Sequence, residues 1–145
     1  MDYEFLFKLL LSVILGGLIG IEREMAHKAA GFRTNILIVL GSMLFTVVSI
    51  RLSQAFGGQV DPGRIAASVA TGLGFIGAGA IIQTRGLVHG LTTAASIWVD
   101  GGIGIAIGIG FYFAAAATTI VTILVLFIFG YLENYLALKH PDKNP

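Results

Sequence analysis

At 145 residues the chain has the length of one domain, yet 56% of it is hydrophobic, 12% is charged and 20 residues are glycine, where a soluble domain carries about 25% charged residues and roughly 7% glycine. With a mean hydropathy of +0.89, there is too little polar surface for a water-soluble globule, so lipid is the expected solvent; disorder, collagen and coiled coil are excluded. Nine Lys and Arg against eight Asp and Glu leave no basic excess for nucleic acid, and the absence of cysteine removes disulfides, thiolate metal sites and cysteine nucleophiles.

A helix needs ~20 mostly apolar residues to cross the hydrocarbon layer. The first such run is 5–21, interrupted by Lys8 and stopped by Glu22-Arg23-Glu24; acidic Asp2 and Glu4 ahead of it argue against a cleaved signal peptide. The second, 35–50, is closed by Arg51, with Thr34 able to cap its start. Asp61-Pro62 then reads as a helix opening, because Asp is a good N-cap and proline fits the first helical position. A third span over 65–82 follows, ended by Gln83-Thr84-Arg85-Gly86.

Leu91 to Leu132 is 42 residues with one charge, Asp100. As a single helix this would be about 63 Å long, twice the hydrocarbon thickness, so it divides. Gly108-Ile109-Gly110 is the best turn, giving spans over 91–107 and 111–132 and a short polar tail over 133–145. The expected fold is therefore all-α, a polytopic transmembrane helix bundle of about five spans with its termini on opposite sides. Arg23, Lys28, Arg33, Arg85, Lys139 and Lys143 face one side; Lys8, Arg51 and Arg64 face the other. By the positive-inside rule this puts the N-terminus outside and the C-terminus in the cytoplasm.

Small residues four apart allow close helix approach. They occur as Gly16 and Gly20, as Ala66, Ala70, Gly74 and Ala78, and as Gly104 and Gly108. We read them as packing faces within the chain, with a homodimer or other oligomer interface as the alternative. Gly72-Leu73-Gly74-Phe75-Ile76-Gly77 has the letters of a dinucleotide fingerprint, but it lies inside an apolar span without the strand that motif requires. No nucleophile elbow surrounds a serine, and His89 has no second His or Cys nearby to make a transition-metal site. Without an acid–base pair or a nucleophile constellation, an enzyme is not expected.

Gly17-Leu18-Ile19-Gly20-Ile21-Glu22-Arg23-Glu24, Gly31-Phe32-Arg33-Thr34, Asp61-Pro62-Gly63-Arg64-Ile65-Ala66-Ala67 running into Gly74-Phe75-Ile76-Gly77-Ala78-Gly79, and Gly90 to Trp98 occur in order over residues 16–98. This arrangement resembles the membrane domain of the MgtC/SapB family. The resemblance implies a multi-pass bacterial inner-membrane protein tied to growth at low magnesium, some relatives being virulence factors proposed to restrain the F-type ATP synthase. Longer members continue into a soluble cytoplasmic domain whereas this sequence ends soon after Leu132, so no role of that domain carries over. Asp100 is the other departure, where relatives are expected to carry a small or apolar residue.

Among the charged residues, Glu22, Arg23, Glu24, Arg33 and Arg85 fall at cytoplasmic span ends, either as one ion-pair cluster or as a solvated collar. On the outer side Arg64 opposes the dipole of its helix, and Asp61 is the expected partner. Asp100 lies about 13.5 Å into its span. A charge at such depth costs ~2.5–3.5 kcal/mol on insertion scales and usually faces the bundle interior. Thr92, Ser96 and Asp100, four apart, are expected on one face with it. They read either as a protonated acid bonded across helices or as an ion or proton site. No cofactor is implied beyond Mg2+, for which a single carboxylate makes no complete cage. Two function classes follow: a non-enzymatic regulator working through contacts with another membrane complex, and a small cation or proton transporter or channel using Asp100.

Overall fold

The computed structural model describes residues 2–84 and 87–139. In chain order it consists of α1 (Asp2–Met25), α2 (Phe32–Ala55), α3 (Gly63–Gly79), a two-stranded hairpin of β1 (Ile82–Thr84) and β2 (Leu87–His89), α4 (Leu91–Gly108) and α5 (Tyr112–Lys139). Four of these helices, α1, α2, α4 and α5, are long and apolar enough to cross a membrane. At 17 residues, α3 is only about 25 Å long.

Packing nevertheless carries α3 across the bundle. Gly16 and Gly20 of α1 lie against Asn35–Ile36 and Phe32 of α2, so these two helices are antiparallel. Gly104 and Gly108 of α4 lie against Val39–Met43 and Met43–Thr46, so α4 runs parallel to α2. The chain must return between two parallel crossings, and α3 does so: its Leu73 and Gly77 meet Gly101 and Ala94 of α4 in antiparallel order. With Tyr112 at the start of α5 packed on Phe7 near the start of α1, chain direction alternates through the five helices described.

The core lies along the α2–α4 pair, flanked by α1 and α5 on one side and α3 on the other. Leu15, Ile19, Val39, Met43, Ile103 and Ile107 fill its larger cluster; Ile38, Leu73 and Ile97 fill a smaller one beneath α3. Large apolar side chains such as Phe75 and Phe113, more than 80% exposed, form the outer surface. Buried polar residues sit inside. This inversion is the arrangement expected of a bundle with lipid as its solvent.

Two breaks in the helices follow local chemistry. The turn between α4 and α5 forms at the expected glycines, where Gly110 adopts φ +86 at no steric cost. The hairpin was not expected: α3 stops at Gly79, and Ile82, Gln83 and Thr84 pair antiparallel with His89, Val88 and Leu87. Continued apolar character at Ile81-Ile82 makes the span seem longer than it is. The signal that finds the hairpin is two β-forming runs separated by Arg85-Gly86. At its exit, Gly90 at φ +89 passes so close to the Ala80 carbonyl that a side chain has no room. At the other end of the chain, α5 runs on through Lys139, so the segment expected to begin a polar tail at 133 first continues the helix.

Candidate functional site

The residues with chemical capability concentrate in the seam between α2 and α4. On α2, Asn35, Val39, Ser42, Thr46 and Ser49 are all buried; steps of four and three residues keep them on one face. On α4 the matching buried polar residues are Thr93, Ser96 and Asp100. Thr92, expected on the Asp100 face, is exposed. Two four-residue steps take a helix of 3.6 residues per turn about 80° past its starting face, and Thr93 holds the inward position instead.

Asp100 is the tenth residue of the 18-residue α4, at its midpoint, and is fully buried. Neither carboxylate oxygen has a hydrogen-bond partner. Two hydroxyls of the seam are committed within their own helices: Ser96 Oγ, one turn away, donates to the Thr93 carbonyl at 2.9 Å and Thr46 Oγ1, further along, to the Ser42 carbonyl at 2.8 Å. Asn35, also fully buried, donates through Nδ2 to the carbonyls of Ala30 and Gly31 at 2.8 and 2.7 Å. Its Oδ1 has no partner. Sequence reasoning missed Asn35 by treating it as the mere start of a span; its four-three spacing to Val39, Ser42 and Thr46 is the signal that finds it.

The charged residues read either as one ion-pair cluster or as a solvated collar make separate contacts at one end of the bundle. Arg23 is buried, 3% exposed, and pairs with its neighbour Glu22 through Nε–Oε2 and through Nη2–Oε1 at 2.8 Å, leaving Nη1 without a partner. Glu24 instead accepts the Phe32 N–H at 3.1 Å, serving the N-terminus of α2, where negative charge is favoured. Arg33 is exposed, and Arg85 lies outside the described residues. At the opposite end Asp61 Oδ1 accepts the Gly63 N–H at 2.8 Å. Asp61 thus caps α3 from one residue further out than expected, Pro62 holding the N-cap position. No ion pair joins Asp61 to Arg64 among the described residues. Lys8, an interruption in the first span by sequence, bridges helices: Nζ donates to the Gly108 carbonyl at 2.9 Å and pairs with Glu4 at 3.0 Å.

The small-residue faces divide. An ideal Cβ on Gly20 would come within 2.7 Å of the Phe32 backbone, and one on Gly108 within 2.5 Å of Thr46 Cβ, so these glycines, with Gly16 and Gly104, are required by close approach. On α3 the stripe winds off the packed face by the same 40° drift per four-residue step. Ala66 and Ala70 are half-buried, whereas Gly74 and Ala78 are exposed, and Gly74 meets nothing within 4 Å. On the other face of α3 an open apolar groove of about 870 Å³ runs between α2 and α3, lined by residues including Leu37, Gly41, Ser42, Phe45, Gly72 and Ile76.

The MgtC family model matches residues 9–135. The chain belongs to the MgtC family. Among curated relatives it is 50% identical over 109 residues to the putative magnesium transporter YhiD of Escherichia coli K12, an overlap covering 72% of this chain and 50% of that protein. It is 41% identical over 102 residues to Protein MgtC of Salmonella typhimurium LT2, covering 70% and 42%, and 40% identical over 110 residues to an uncharacterized protein of Haemophilus influenzae, covering 71% and 46%. The chain thus spans about half the length of the curated relatives it matches. No solved structure matches it. Family membership and the four apolar helices make this MgtC-family chain a multi-pass protein of the bacterial inner membrane.

Proposed function

We propose that this chain is a membrane module of magnesium homeostasis that acts without catalysing a reaction, by contact between α3 and a helix of another membrane protein. The magnesium assignment draws on the name of the Escherichia coli relative and on family membership. The mode of action draws on one observation: α3 turns Gly72 and Gly79, two turns apart on one face, outward with nothing of its own chain within 4 Å, and Gly72 lines an open groove. Exposed glycine on a lipid-facing helix contributes little by itself, but it lets a second helix approach closely enough for van der Waals packing and weak hydrogen bonds. In the orientation expected from the Lys and Arg distribution, the Glu22–Arg33 end and the hairpin face the cytoplasm. The partner suggested by the family resemblance is the F-type ATP synthase.

Crosslinking in native membranes under low-magnesium growth, with a photoreactive group at position 72, tests the proposal. A specific membrane-protein adduct that disappears in Gly79→Leu is expected, because Gly79 shares the face of position 72. Recovery of the uncrosslinked chain, or of adducts unchanged by Gly79→Leu, overturns it; an adduct with a second copy of the chain replaces the heterologous partner by a homodimer.

A further inference from the structure

The α2–α4 seam encloses three oxygens, two of Asp100 and one of Asn35, that have no hydrogen-bond partner. Gly104 packs beside Val39–Met43, so Asp100, one turn earlier on the parallel α4, stands beside the Asn35–Val39 turn of α2. Both Asp100 oxygens and Asn35 Oδ1 are enclosed and unpartnered. The Ser96 hydroxyl, one turn from Asp100, spends its proton on its own helix, so its oxygen faces neighbours only with lone pairs. Ser42 adds another hydroxyl oxygen, placed beside Gly101.

Among the described residues, the cationic side chains nearest the seam are engaged elsewhere or stand at helix ends. On α1, Lys8 is held by Gly108 and Glu4, two turns further along the bundle, and Arg23 pairs with Glu22 at the opposite end, with only its Nη1 unpartnered. Arg33, Arg51 and Arg64 are exposed at helix ends, and the charged residues of α5 follow Leu132. A carboxylate buried in its charged form is paired or coordinates a metal ion, and intramembrane carboxylates characteristically find such partners in the bundle interior.

We infer that Asp100 and Asn35, with the hydroxyl oxygens of Ser96 and Ser42, form an internal binding site for a hard metal cation. The donor set is oxygen alone, with one carboxylate, one amide carbonyl and two hydroxyls. It excludes soft and imidazole-seeking metals and suits cations that bind through one or two carboxylates and keep some of their water. The site shares Ser42 with the groove beside α3, but cation binding and partner contact are read by different measurements, so either can fail without the other.

The test uses the full chain purified into nanodiscs, titrated with Mn2+ and read by electron paramagnetic resonance, with Na+ and Mg2+ as competitors and choline as the ionic-strength control. Saturable binding of about one Mn2+ per chain is expected, displaced by Mg2+ or by Na+ but not by choline. Asp100→Asn should abolish it, Asn35→Ala should weaken it at least tenfold, and Asp100→Glu should retain part of it. Displacement by Mg2+ alone identifies a divalent site and displacement by Na+ identifies a monovalent one. No saturable binding by the unaltered protein, or binding that survives Asp100→Asn, overturns the inference; the first of these needs no variant to fold.

Discussion

The two sides of α4 are built on opposite terms. Toward α2, Gly104 and Gly108 bring backbones into contact and enclose Asn35, Ser42, Thr46 and Asp100. Toward α3, contact is confined to Leu73, Gly77 and their neighbours, and most of α3 is exposed. The same residue type thus does two jobs. On α4 glycine is a packing requirement, because a Cβ has no space; on α3 it leaves space that this chain does not fill. The α2–α4 pair is the part suited to hold something inside the protein, and α3 is the part suited to hold something beside it.

Substitution at the tight contact should have the largest effect. Gly104→Leu drives a side chain into the Val39 carbonyl and Ser42, whose Cβ lies 2.6 Å from an ideal Cβ at that position. Overpacking of this kind costs about 1–3 kcal/mol or more, and the unfolding midpoint in detergent should fall accordingly, with poor recovery of folded protein. Lys8→Met leaves the Gly108 carbonyl without its interhelical donor and should cost about 2 kcal/mol, read as lost resistance to a denaturing detergent. Glu24→Ala removes the acceptor of the Phe32 N–H; the expected loss is about 1 kcal/mol, measurable as faster amide exchange in the first turn of α2. Gly74→Leu should change stability by no more than about 0.5 kcal/mol, since nothing stands in its way. A large stability loss there would erase the contrast between the two sides of α4.

Much of this was legible in the sequence because hydropathy and span ends are coarse signals. Apolar runs bounded by Glu22-Arg23-Glu24, Arg51 and Gly108-Ile109-Gly110 lead directly to helices and their order. The depth of Asp100 follows from counting. Facing does not follow as easily: a four-residue repeat was taken as one face for both Thr92–Asp100 and Ala66–Ala78, and in both the accumulated rotation turned one end of the row outward. Pairing between charged residues was less legible still. Glu24 serves a backbone N–H rather than an arginine, and Arg23 is buried with its sequence neighbour; neither outcome is encoded in charge spacing, because each depends on where a second helix begins.

The bond from Lys8 to Gly108 joins residues 100 positions apart, and this has a consequence for biosynthesis. At ~5–20 residues per second, the ribosome delivers Gly108 about 5–20 s after Lys8. Over that interval the first helix has a lysine whose final acceptor does not yet exist. Glu4, one turn away on the same helix, is already present to hold the charge. The Glu4–Lys8 pair is then an assembly aid as much as a feature of the finished bundle, and the arrival of the α4 terminus marks the moment when the first crossing is locked in place.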